Sequence, residues 1–153
     1  PLVLRQHWSG STRRGSAAPP LVSTIQQSGK PDLRLSVDPA FGGEAGAWHP
    51  PDLLGAALST CLMVAFLDLA KRTRVDVRAY DDELALYKVT EDHRSRIDRA
   101  VVRPTVTLAP GSDPGRAARV FHRAHQYCTV SNSLRTRVVL EPRFVVEGAS
   151  GSG

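Results

Sequence analysis

The order of apolar patterns along this chain predicts an α+β fold, and three observations carry that prediction. Leu33, Leu35 and Val37 alternate with Arg34, Ser36 and Asp38, the period-two signature of a half-buried strand. The run Leu53–Leu67 is apolar on nearly every side of a helix, interrupted only by small polar residues. A second helical period, Ala117, Val120/Phe121, Ala124 and Tyr127/Cys128, then falls between strand-like stretches. With 153 residues, 41% hydrophobic and 23% charged, the chain is of a size and composition to bury one core without staples. A single domain over 1–148 is expected, followed by a flexible tail at 149–153.

The elements follow in order. Leu2, Leu4 and Trp8 alternate loosely as a first strand, and Ser9–Pro20 is a Gly-, Ser-, Arg- and Pro-rich loop. A short strand at Leu21–Ile25 precedes the strand at Leu33–Val37, and Asp38–Pro51 is a long glycine-containing loop. Pro51 suits the first position of a helix and Asp52 its positive end; Lys71 and Arg72 suit the negative end. Strand patterns resume at Val75–Ala79 and Leu84–Val89, turn at the charged stretch Glu91–Arg96, and return through Ala100, Val102, Val106 and Leu108. Pro104 marks that return as an edge or bulged strand. Asp113–Pro114 opens the second helix, Ser131–Leu134 reads as one more helical turn, and Val138–Val146 as a last strand. A long helix apolar all round exceeds what so short a chain can cover. Burial against a second copy of the chain, a homodimer, is the expected remedy.

The net charge of +5 comes mostly from arginine, with lysine only at Lys30, Lys71 and Lys88. The basic residues are scattered among 15 acids rather than gathered in a stripe, so no nucleic-acid partner is expected. No secretory pattern opens the chain, and the apolar run Leu53–Leu67 is short for a membrane span. A cytoplasmic protein with no membrane partner is expected.

Cys61 and Cys128 are the only cysteines, too far apart in sequence and too few for a disulfide framework. Two alternatives are open from composition: small hydrophobes in a core, or a reactive pair. A reactive thiol needs help, because an unperturbed pKa of about 8.5 leaves only a small thiolate fraction at neutral pH. Cys61 falls mid-helix, on a side shared with Leu54, Leu58, Ala65 and Asp68; Cys128 ends the second helix. His122 and His125 share a helical face but lack a third ligand of suitable spacing, so no metal site is expected. His49 and Trp48 lie beside the long loop.

Two motifs decide between those alternatives by resemblance. Phe41-Gly42-Gly43-Glu44-Ala45-Gly46 followed by His49-Pro50-Pro51-Asp52-Leu53-Leu54-Gly55-Ala56-Ala57-Leu58-Ser59-Thr60-Cys61 resembles the central motif of the OsmC/Ohr family. Tyr127-Cys128-Thr129-Val130-Ser131-Asn132-Ser133-Leu134 resembles its second signature, with Thr129 in place of the usual proline. His7-Trp8-Ser9-Gly10 with Arg14-Gly15 is similar to the family's opening strand and turn. The resemblance implies an OsmC-like fold, with antiparallel sheets around a long buried helix in an intertwined homodimer. It also implies a peroxidatic Cys61, a resolving Cys128, an organic hydroperoxide substrate, a dithiol reductant such as a lipoylated protein or a small thiol, and no metal or organic cofactor. The family's glutamate after its motif proline is Pro51 here, so the resemblance points to Asp52 as substitute. Its activating arginine has Ala40 at one of the two family locations, which leaves Arg13 or Arg14, with Arg14 favoured. The second reading consistent with the resemblance is an OsmC-like binding or redox-sensing protein with little turnover.

Overall fold

The computed structural model describes residues 3–9 and 21–148. Most of the expected loop Ser9–Pro20, with Arg13 and Arg14, and the expected tail at 149–153 lie outside the described residues. The chain forms two compact units, Pro1–Leu54 and Gly55–Gly153.

In the first unit, β1 (Arg5–His7), β2 (Ser23–Gln26) and β3 (Leu33–Leu35) make an antiparallel sheet in that order. The register pairs Gln6 with Ile25 and Thr24 with Arg34. The strands are shorter than the alternation predicts, because β3 gives way at Ser36 to a loop wound back on itself. The Ser36 backbone N–H donates to Trp48 O (3.0 Å) and its hydroxyl to Leu21 O (2.9 Å). The Glu44 N–H in turn donates to the Ser36 hydroxyl (2.9 Å). A Cβ at Gly43 would sit 1.6 Å from Val37 O, so only glycine permits this close return. A 3₁₀ turn at Pro39–Phe41 is capped by Asp38, whose carboxylate accepts from the Ala40 N–H (2.8 Å).

Helix α1 (Pro50–Arg72) begins one residue earlier than the sequence pattern predicts. Pro50 and Pro51 occupy its first two positions, where a missing N–H leaves nothing unpaired. Its far end closes as a Schellman turn: the Val75 N–H donates to Ala70 O (2.9 Å) while Arg74 takes a left-handed conformation, φ 57°. The helix is long and apolar enough to cross a membrane by length and composition. It is instead a core helix, with Leu58, Leu62, Phe66 and Ala70 buried along one stripe.

In the second unit, β4 (Val77–Glu91) and β5 (Arg94–Leu108) form one long antiparallel hairpin. The charged stretch proves to be a two-residue turn, Asp92-His93, both at positive φ as the twist of such hairpins favours. Helix α2 (Pro114–His125) and the short α3 (Thr129–Asn132) follow, then β6 (Arg137–Leu140) and β7 (Arg143–Val146). The fold is α+β as predicted, although β6 and β7 run parallel to β5. That makes β5 central, which corrects the edge-strand expectation from Pro104. β6 pairs with Arg99–Val102 and β7 with Thr105–Leu108, so Pro104 falls in the gap between them. Val102 O accepts from the Glu141 N–H on that side (2.9 Å), and Pro104, two residues on, turns its nitrogen the same way. No ladder bond is lost there.

The core runs along one face of β5. Phe66, Phe121 and Phe144 meet edge to face, with centroids 5.2 to 6.3 Å apart, over Val106 and Leu108. Leu58, Leu62 and Cys128 pack over Ala100 and Val102. A Cβ at Gly55 would come 3.3 Å from Leu84, which shows how closely α1 approaches β4. The Ser59 hydroxyl donates to the Asp82 carboxylate (2.9 Å), fixing the rotation of α1 that aims Cys61.

Candidate active site

Cys61 lies on α1 at the border between its buried stripe and its open face. Leu58 and Leu62 are fully buried, whereas Ala57, Thr60 and Val64 face outward, and Cys61 is half-buried between them. The expectation of a helix covered on all sides thus holds for one stripe within the chain. The open face forms the floor of a groove of about 1050 Å³, the size of a drug-like ligand site. Its floor is Ala56, Ala57, Thr60, Cys61 and Val64, and its rim carries Asp68, Arg72, Arg123 and Tyr127, all from the second unit.

Cys128 sits beneath, with no exposed surface. Helix α2 tightens at its end, where the Cys128 N–H donates to His125 O (3.2 Å), and the chain restarts at once as α3. Cys128 is the N-cap of that turn, in extended conformation, and its sulfur accepts from the Ser131 N–H (3.3 Å). Cys61 packs against the cluster that holds it. Burial, then the neighbouring Cys61, push the Cys128 thiol up to about 11, against the opposing pull of the Ser131 and Val130 N–H groups. Both cysteines are free thiols. The structure therefore brings together one thiol that lines an apolar groove and one that is buried and protonated behind it.

Two other residues were singled out in sequence. Arg14 lies outside the described residues. Asp52 belongs to the first unit, and its Oδ2 accepts from the His49 N–H (2.9 Å), with His49 Nδ1 at 3.8 Å. That is the return half of a capping box, a third-position carboxylate reaching back to the N-cap. Trp48 is exposed, and its carbonyl holds Ser36. His125, expected at a surface or interface, is half-buried, with Nε2 2.7 Å from Ser131 Oγ. Among the described residues no three His, Cys, Asp or Glu side chains cluster as metal ligands.

Sequence reasoning missed the two arginines at the rim. Arg72 was legible: it follows Cys61 by three helical turns and so shares its face. Its guanidinium pairs with Asp68 (3.0 Å). Arg123 was not, because it reaches the groove from a different helix.

Comparison with known proteins bears on the whole of this arrangement. The family model described as OsmC-like protein matches residues 42–143, which includes both cysteines. Among solved structures, an OsmC-like protein of unknown function from Vibrio cholerae is 23% identical, with a TM-score of 0.79 over 93% of this chain and 98% of that one. The organic hydroperoxide resistance protein OsmC from Legionella pneumophila is 18% identical (TM-score 0.68, covering 95% and 97%). The organic hydroperoxide resistance protein OhrB of Bacillus subtilis is 20% identical (TM-score 0.58, covering 94% and 98%). At these identities the solved structures establish the fold. No curated protein matches the chain. The family match spans well over half of the sequence, so the chain belongs to the OsmC-like protein family.

Proposed function

We propose that the protein is a thiol-dependent peroxidase that reduces organic hydroperoxides to alcohols. The observation that supports this most is a groove-lining Cys61 packed against the cluster that holds a buried, protonated Cys128. An apolar floor suits a hydroperoxide with an organic body. Two relatives of the same fold carry the name of organic hydroperoxide resistance proteins.

In this reading the Cys61 thiolate attacks the distal peroxide oxygen. The O–O bond breaks, the alkoxide takes a proton and leaves as an alcohol, and Cys61 becomes a sulfenic acid. The Cys128 thiol then gives up its proton, and its sulfur attacks the Cys61 sulfur. Hydroxide departs with that proton as water, leaving a Cys61–Cys128 disulfide. Cys61 packs against the cluster that holds Cys128, so the two sulfurs start as neighbours for a bond of about 2.05 Å. A dithiol, a lipoylated protein or a small thiol, returns both cysteines to thiols by exchange through a mixed disulfide. Arg14 is the proposed activator of Cys61 and Asp52 the proposed carboxylate partner. The exposed apolar face of α1, Val64 and Leu67 among it, is proposed to be covered by a second copy in a homodimer, and the protein to act in the cytoplasm.

The test is consumption of cumene hydroperoxide with a dithiol. The parent turns over, Cys61→Ser does not, and Cys128→Ser consumes one equivalent and stalls when dithiol is withheld. Equal inactivity of parent and Cys61→Ser, with an apolar ligand still bound, favours the binding or sensing reading that Pro51 and Ala40 also support. A monomer by light scattering at micromolar concentration removes the dimer.

A further inference from the structure

We infer that His125 is a positioning residue for Cys128, acting through Ser131. The inference rests on the proposed resolving role of Cys128 and adds to it the device that aims the sulfur. Three contacts form a chain. His125 Nε2 lies 2.7 Å from Ser131 Oγ; the Ser131 backbone N–H donates to Cys128 Sγ at 3.3 Å; and Cys61 packs against the cluster that holds Cys128.

The geometry explains why such a brace is needed. Helix α3 spans only Thr129–Asn132, far too short to hold itself. Its first turn nonetheless supplies the N–H groups that oppose the burial of the Cys128 sulfur. When Cys128 loses its proton to attack Cys61, those N–H groups stabilise the thiolate that forms. Helix α2 is a full three turns, anchored by Val120, Phe121 and Ala124 in the core, and His125 is its last residue. The imidazole thus ties the weak turn to the strong helix across the Cys128 corner. Burial and the neighbouring His122 hold His125 below the usual imidazole range, so the ring is neutral at pH 7 and presents one acceptor and one donor nitrogen. Asn132 adds a second tie, Nδ2 to Gln126 O (2.9 Å), but it grips the far end of α3.

The test separates the two thiol steps without any peroxide. Ellman's reagent, 5,5′-dithiobis(2-nitrobenzoate), forms a mixed disulfide at Cys61 and releases one thionitrobenzoate. Attack by Cys128 on the protein-side sulfur then forms the Cys61–Cys128 disulfide and releases a second thionitrobenzoate with the thiol proton. In the parent both phases are expected. His125→Leu is expected to slow the second phase by about tenfold, the factor that one hydrogen bond to a charged group supplies, and to leave the first within twofold. His125→Gln, whose amide reaches the same place as Nε2, restores the second phase. Ser131→Ala slows it as His125→Leu does, and the double variant is no slower than either single one. An unchanged second phase in His125→Leu overturns the inference, as does equal slowing in His125→Leu and His125→Gln, or release of a single equivalent by the parent. A parallel run with cumene hydroperoxide keeps the two claims apart: no peroxide consumption with a His125-dependent second phase sinks the peroxidase reading and leaves this inference standing.

Discussion

Replacing Cys128 with alanine changes how stability depends on pH, and the sign follows from the fold. The thiol is raised from 9.0 to about 11 in the folded chain, mainly by burial. The folded state therefore holds this proton where the unfolded chain has lost it. The resulting stabilisation is fully present below 9.0 and is lost as pH climbs through about 11. A gap of that size is worth just under 3 kcal/mol in the limit, and about 1.4 kcal/mol of it is gone by about pH 10. Alanine also leaves a small cavity at a site with no exposure, but that loss is the same at every pH. The informative quantity is the difference between parent and Cys128→Ala, measured by urea unfolding at pH 7.5 and 10 with a phosphine reductant present. Circular dichroism reports the helices. The expected result is a parent whose advantage over the variant shrinks by about 1.4 kcal/mol between those two conditions. Parallel loss in both proteins would refute the buried, protonated thiol, and with it the reason for proposing Cys61 rather than Cys128 as the thiol that attacks the peroxide.

Three further changes probe the frame around the cysteines. Phe66→Ala empties the centre of the aromatic cluster against Phe121, Phe144 and Tyr80 and is expected to cost about 3–5 kcal/mol, read as a large drop in the urea midpoint. Arg74→Gly relieves a left-handed residue at the end of α1 and is expected to add about 1 kcal/mol, a rise of roughly 2–4 °C in Tm for a chain this size. Asp52→Asn keeps an oxygen for the His49 N–H while Asp52→Ala does not, so alanine alone should lose about 1 kcal/mol of stability. A fall in peroxide turnover in Asp52→Asn at unchanged stability would assign the carboxylate charge to chemistry.

Much of the fold was legible because its signals are periodic. The β5 series Ala100, Val102, Val106, Leu108 repeats at the spacing of a strand and proves to be core, whereas the run from Leu53, apolar all round, marked a helix without marking its buried stripe of Leu58, Leu62, Phe66 and Ala70. Pro104 misled because a sequence shows a missing donor but not where the neighbouring strands stop. Its tolerance in a central strand depends on β6 and β7 meeting at that residue, a non-local fact. The helix start slipped by one residue for a similar reason: two successive prolines are both acceptable before the first bonded N–H, and the choice is made by Asp52 reaching back to His49.

The candidate site divides along the same line. Two ordered motifs make the cysteines visible, yet their different surroundings come from the elements that carry them. Cys61 sits on a long helix at the edge of its buried stripe, so one side of its sulfur is open by geometry alone. Cys128 caps a single turn of helix, which by itself has too few bonds to keep a buried sulfur aimed. Its environment is assembled from His125, Ser131 and the Cys61 thiol, contributed by three elements at no fixed period. The motif resemblance therefore marks Cys61 as the proposed attacking thiol, and the packed helix leaves it open to the groove. What readies the second sulfur is a set of contacts that appears only once α1, α2 and α3 are packed together.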